Sequence, residues 1–131
     1  FGYFDEDAEN RAIMASISGA LTPGGIYWLD YLNPQRLLKK LVPKSVKKLA
    51  DGTRVTLTRR IEGPMVVKDI HFESETASHT YQERVYLYGK RELEEMMMDN
   101  GIRPQGAVGN FDGDPWVTDS PRTILYGRRN G

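Results

Sequence analysis

Apolar residues recur along this chain in two rhythms, and each rhythm predicts a different kind of element. After an acidic stretch that offers Asp5 or Asp7 as a helix cap, Ile13, Ile17, Ala20 and Leu21 fall at helical spacing, with Arg11, Ser16 and Ser18 elsewhere. Leu21-Thr22-Pro23-Gly24-Gly25 ends that helix, because proline cannot continue it and glycine admits a positive-φ turn. The next run, Ile26-Tyr27-Trp28-Leu29-Asp30-Tyr31-Leu32, is almost continuously apolar and aromatic, and it predicts a central parallel strand buried on both faces. Asn33-Pro34 breaks the strand, a short amphipathic helix over 35–41 stops at Pro43, and Lys44-Ser45-Val46-Lys47-Lys48 reads as a solvated basic loop.

The period then drops to two. From Thr53 to Ile61, Val55, Leu57 and Arg59 alternate with Arg54, Thr56, Thr58 and Arg60. Glu62-Gly63-Pro64 makes a turn, Met65 to Glu73 alternates again, and His79 to Tyr88 is a third run, so an antiparallel three-stranded meander is expected. Helical spacing returns over Lys90–Asn100, with Leu93, Met96 and Met97 inward and Gly101 as the stop. Strands over 102–108 and 123–128 close the chain, joined by a loop over 109–121 that carries Phe111 and Trp116. The expected organisation is one domain over 1–131: helix and buried central strand (1–34), short helix and basic loop (35–50), meander (51–89), then helix and two last strands (90–131).

Length agrees with a single domain, since 131 residues can bury a sizeable core. Hydrophobic residues are 39% and charged residues 27% of the chain, a globular mixture rather than a disordered one. With 18 Lys and Arg against 18 Asp and Glu, no global field gathers polyanions, which argues against nucleic acid and anionic membrane as partners. The lysines at 39, 40, 44, 47 and 48 lack the interleaved aromatics of a single-strand binder. Zero cysteines exclude disulfides, a thiolate zinc site and a cysteine nucleophile. No apolar run approaches a membrane span, and a cytoplasmic location is the expectation.

Taken in order, the aromatic opening Phe1-Gly2-Tyr3-Phe4, the acidic helix and the Pro23-Gly24-Gly25 turn feeding an aromatic strand resemble class I S-adenosylmethionine-dependent methyltransferases. Glu83-Arg84-Val85-Tyr86-Leu87-Tyr88, Arg91-Glu92-Leu93, Asn100-Gly101-Ile102 and Ser120-Pro121-Arg122 are similar to the C-terminal half of the small-molecule type, in which a meander follows the fifth strand. The resemblance implies an α/β fold, or α+β as an isolated fragment. Its core is a partial Rossmann-like sheet with an inserted antiparallel meander. It also implies S-adenosylmethionine as cofactor and a small-molecule methyl acceptor. The glycine-rich loop and the acidic strand end that hold the cofactor in this family cannot be placed in the chain. The aromatic opening therefore suggests a cut from a longer protein, inactive by itself, whose exposed strand edges favour a homodimer. The alternative is a non-catalytic α+β module that binds a ligand or a protein.

Methyl transfer is an in-line displacement that needs positioning, desolvation and at times a base. The resemblance places Phe1, Gly2, Tyr3 and Phe4 beside the cofactor; the alternative for Tyr3 is a packing aromatic. Tyr31 and Asn33 sit at the carboxyl end of the buried strand, where α/β sheets hold ligands, although Asn-Pro is also a turn former. Arg84 suits an anionic group of the substrate or a cross-strand pair with Asp69 or Glu73. Phe111 and Trp116 can close over a substrate, and His71 is the candidate general base. No metal site is expected: His71 and His79 lie on separate strands without a carboxylate cluster, and Asp112-Gly113-Asp114 with Asp119 lacks calcium-loop spacing.

Overall fold

The computed structural model describes all 131 residues, Phe1–Gly131. In chain order the elements are α1 (Asp7–Ala20), β1 (Ile26–Leu32), α2 (Pro34–Lys39), β2 (Lys44–Lys48), β3 (Arg54–Glu62), β4 (Met65–Glu73), β5 (Ser78–Tyr86), α3 (Lys90–Asp99), β6 (Ile102–Val108) and β7 (Arg122–Arg129). They form two compact units. One comprises Phe1, Glu6–Lys39 and Tyr88–Gly131; the other comprises Gly2–Asp5 and Lys40–Leu87. No helix is long and apolar enough to cross a membrane.

The first unit is built on a three-stranded sheet in the order β1-β7-β6, antiparallel throughout. Its core gathers Leu29 and Tyr31 from β1, Leu125 from β7, Ile102 from β6, and Leu93, Met96 and Met97 from α3. The approach of α3 to the sheet is close. A Cβ on Gly127 of β7 would stand 2.6 Å from the Arg103 carbonyl oxygen and 2.8 Å from the Met97 methyl, so only glycine fits there. At the end of α1, Gly24 takes φ +77°, open to glycine at little cost. The turn then joins β7: Gly24 N–H donates to Arg129 O (2.9 Å) and Arg129 N–H donates to Gly25 O (2.9 Å).

Two expectations for this unit are corrected. The strand read as central and buried on both faces is instead an edge strand paired antiparallel with β7. Only its inward residues are buried; Ile26 is 53% and Trp28 58% exposed, the latter stacked on Tyr126 with ring centroids 4.6 Å apart. The buried stripe of α1 is Asn10, Met14 and Ser18 rather than Ile13, Ile17 and Ala20. Polar residues take the inner positions because they find partners: the Ser18 hydroxyl donates to Asn100 O at the end of α3.

The second unit is a four-stranded antiparallel sheet in the order β2-β3-β4-β5. Its three long strands are the expected meander. The added strand β2 is the segment read as a basic loop, which pairs Lys44–Lys48 against Thr58–Arg54 of β3. An edge strand can be lysine-rich because its side chains reach water on both faces. One face of this sheet holds Val55, Leu57, Ile70 and Val85, with the Phe72 and Tyr81 rings 5.8 Å apart. The other is a polar lattice of Arg60, Glu62, Asp69, Gln82 and Arg84.

Candidate functional site

Two constellations in the first unit bring reactive or ligand-type groups together. The first is aromatic. The rings of Phe1, Tyr31 and Tyr88 form a cluster with centroids 5.7 to 6.3 Å apart, and Tyr31 (4% exposed) and Tyr88 (1% exposed) are buried. The Tyr88 phenol donates to Asp7 Oδ1 (2.7 Å), and Arg11 Nε donates to Asp7 Oδ2 (2.7 Å). The Tyr88 hydrogen bond first, and then Arg11, hold the Asp7 carboxyl below the usual carboxylate range. The result is a packed aromatic cluster, its rings tilted 38° to 68° to one another, with one phenol fixed in orientation by an ionised carboxylate.

The second is a cavity of about 800 Å³ at the end of β1, walled by α3, β6 and the loop between β6 and β7. Asn33, the residue after β1, sits at its floor and is 3% exposed. Its Nδ2 donates to Thr118 O (3.0 Å) and Ser120 O (2.8 Å), which ties the loop to the strand end. From α2, Arg36 Nη1 adds a bond to Asp119 O (2.7 Å). The loop so held carries Trp116 at the cavity wall; its indole Nε1–H donates to Thr123 Oγ1 (3.1 Å), and the Lys90 ammonium lies 5.4 Å from the ring centroid. At the start of α3, Glu92 accepts the Gly89 N–H (3.1 Å), and Lys90 pairs with Glu94 (2.9 Å).

The candidate residues from the sequence thus separate. Asn33 and Trp116 meet at the cavity, and Tyr31 joins Phe1 in the aromatic cluster. Phe111 is 78% exposed under the Arg122 guanidinium (5.6 Å), while Arg122 Nε bonds Asp30 (2.6 Å). In the second unit, Gly2 is buried with φ +86° and its carbonyl accepts the Tyr86 N–H (2.6 Å); Tyr3 and Phe4 are 63% and 45% exposed. Arg84 pairs with Asp5 (3.1 Å) and Glu62 (3.0 Å) rather than with Asp69 or Glu73. Asp69 is taken by Arg60 and Gln82. His71 Nδ1 meets Thr80 Oγ1 at 2.9 Å. The register sets His79 opposite Phe72, the neighbour of His71, so the two histidines occupy opposite faces of the sheet. No group of three or more His, Asp or Glu side chains is placed to hold a metal ion. Sequence reasoning missed the Tyr88–Asp7 pair and the cavity roles of Lys90 and Arg103. Nothing local marks them, since Asp7 and Tyr88 stand 81 residues apart.

No family model matches the chain, and no curated protein matches it. Solved structures do. The chain is similar to the CcbJ methyltransferase from Streptomyces caelestis, with a TM-score of 0.79 and 16% identity over 95% of this chain and 51% of that one. It is similar to an S-adenosylmethionine-dependent methyltransferase from Clostridium acetobutylicum ATCC 824, with a TM-score of 0.81 and 13% identity over 99% of this chain and 55% of that one. A third is the sugar N-methyltransferase KedS8 from Streptoalloteichus sp ATCC 53650, with a TM-score of 0.69 and 17% identity over 99% and 52%. At these identities the likeness is one of fold: a mixed α/β arrangement found in Rossmann-like, S-adenosylmethionine-dependent small-molecule methyltransferases. The chain spans about half the length of each.

Proposed function

We propose that this chain is the C-terminal part of a longer S-adenosylmethionine-dependent methyltransferase that acts on a small-molecule acceptor. The observation that carries the reading is the fold match over 95% and 99% of the chain to two methyltransferases of about twice its span. The resident cofactor fits these residues only in part. Phe1, Tyr31 and Tyr88 supply an aromatic cluster, but in the first unit no glycine-rich turn leads from a strand into a helix to let backbone approach it, and no strand ends in an acidic residue to accept its ribose hydroxyls. On this reading the preceding half supplies that cradle, the chain alone is inactive, and Phe1–Phe4 lie beside the cofactor in the whole enzyme.

When bound, the cofactor supplies an electrophilic methyl group. The work left to these residues is positioning and exclusion of water. In the first unit Tyr31, Asn33, Phe111 and Trp116 are the proposed acceptor contacts; in the second unit Arg84 and His71 are proposed separately, as an anion contact and a candidate base. Isolated, the chain pairs with a second copy, through an edge of the meander or by burying Phe1–Phe4, and the enzyme is cytoplasmic.

The test is calorimetric titration of S-adenosylhomocysteine into this chain and into the full-length polypeptide that contains it. Binding by the longer form alone is expected. Binding by neither overturns the enzyme reading and leaves a non-catalytic ligand- or protein-binding module. Light scattering on the isolated chain checks the dimer, which a monomer at all concentrations overturns.

A further inference from the structure

Three consecutive methionines stand near the end of α3, and the helix sends them to different surroundings. Leu93, Met96 and Met97 form the inward stripe and are fully buried. Met98 lies about 100° further round than Met97, since a helix turns once in about 3.6 residues. It is thereby in line with Arg91, Glu94 and Glu95, seven, four and three residues before it, and all four line the cavity at the end of β1. Met98 is 55% exposed. The other four of the chain's five methionines are shut away, for Met14 in α1 is also fully buried and Met65 in β4 is 3% exposed.

Exposure decides which thioether reacts with an oxidant. The sulfur lone pair attacks one oxygen of a hydroperoxide, the O–O bond breaks, and the sulfur becomes a sulfoxide. Sulfur loses two electrons and the peroxide gains them; the second oxygen leaves as water from hydrogen peroxide, or as an alcohol from an organic hydroperoxide. A thioether in the core meets the oxidant only when its element opens. Met98 needs no opening. Its position also tolerates the product, which replaces an apolar sulfur by a polar acceptor. At Met96 or Met97 the new oxygen would be forced into the apolar contact of α3 with the sheet, a costly burial. At Met98 it stands in water, on a cavity also lined by the N–H donors of Lys90, Arg91 and Arg103.

We propose that Met98 is a reversible oxidation site, taking one oxygen atom from a hydroperoxide, and that the modification changes the wall of the cavity from a soft apolar group to a hydrogen-bond acceptor. Methionine sulfoxide reductases restore it: the oxygen leaves as water while a pair of thiols on the reductant is oxidised to a disulfide. The site goes beyond methyl transfer and stands or falls separately from it, since neither cofactor nor acceptor takes part.

The experiment treats the folded chain with hydrogen peroxide and follows each methionine over time by peptide mass spectrometry, with the chain in urea as reference. Met98 is expected to gain its oxygen about tenfold faster than any of the other four, and the five rates to converge in urea. Two-dimensional NMR of the oxidised, isotopically labelled chain reads the cavity. A shift of the Trp116 indole N–H or the Asn33 side-chain amide is expected, reversed by the two reductases that serve the two sulfoxide epimers. Met98→Leu, a swap of similar volume at an exposed position, is expected to keep its spectrum unchanged by the same treatment. Oxidation of Met14, Met65, Met96 or Met97 in the folded chain as fast as that of Met98 overturns the site. Cavity resonances that stay in place when Met98 is oxidised, or that move equally in Met98→Leu, overturn its action on the cavity.

Discussion

The bond between Tyr88 and Asp7 joins residues 81 apart in the chain, and it makes one carboxylate sensitive to acid. Asp7 has its folded pKa lowered by the Tyr88 phenol and by Arg11. A carboxyl lowered below its unfolded value, about 3.9, contributes stability that is fully present above about pH 4 and is lost as pH falls through the folded value. Asp7→Asn is therefore expected to lower the urea midpoint at pH 7, with the gap to the parent chain narrowing at pH 3. Tyr88→Phe, which keeps the ring in its cluster, should cost about 1 kcal/mol at pH 7; an equal cost for Asp7→Asn at both pH values would remove the linkage. A steric case is Gly127, where a Cβ would press on the Arg103 carbonyl. Gly127→Ala is expected to destabilise by about 1–3 kcal/mol in denaturant melts, the range for overpacking. The turn glycines after Pro23 were legible in the sequence because a helix stop and a positive φ are local demands. The Tyr88–Asp7 pair was not, because a long-range hydrogen bond leaves no spacing signal.

Among the elements, α3 was the most legible. Leu93, Met96 and Met97 keep helical spacing, and all three are fully buried. Leu93→Ala should cost about 2–5 kcal/mol, measured by thermal or urea unfolding, because α3 packs on both β6 and β7. A cost under 1 kcal/mol would show that the helix does not anchor the sheet. The long strands β3, β4 and β5 were equally plain from their period of two. The reading failed where burial and hydrophobicity part company. In α1 the inner stripe holds Asn10 and Ser18, the latter bonded to Asn100 O across the fold, while Ile13 and Ile17 sit half-buried beside it. In β2 the only apolar residue, Val46, is 57% exposed, and what orders the strand is its ladder with β3. A backbone ladder does not register in side-chain patterning. Of the site, Asn33 and Trp116 were anticipated by position at a strand end and in an aromatic loop. The charged wall from α3 was not singled out, because only the inward Leu93, Met96 and Met97 mark that helix in the sequence.

At the scale of the whole molecule, aromatic β1 carried the family resemblance in sequence yet paired in the opposite sense to expectation, antiparallel to β7. Continuous hydrophobicity reports how much of a strand is to be covered; direction comes from its neighbour. The likeness to half of each larger methyltransferase explains both facts, since the strand order β1-β7-β6 was matched as a piece rather than derived from the pattern. The same topology has a consequence for growth. Each sheet has one edge that resists a further strand. In the four-stranded sheet it is β2, where Lys44, Lys47 and Lys48 would meet their own copies across an added strand. In the three-stranded sheet it is β6, interrupted by Pro104 and by a register shift before Gly106. Of the opposite edges, β1 is regular, and β5 is regular up to Tyr86, whose N–H is taken by the Gly2 carbonyl. A sheet that can add a strand on one side only pairs once through that side and then presents its resistant edge. Replacing Lys44, Lys47 and Lys48 together by Thr should remove that stop, and thioflavin fluorescence at high concentration is expected to rise in the triple variant alone. The lysines of β2 thus act as chain terminators in the polymer sense, closing that side of the sheet to further strands.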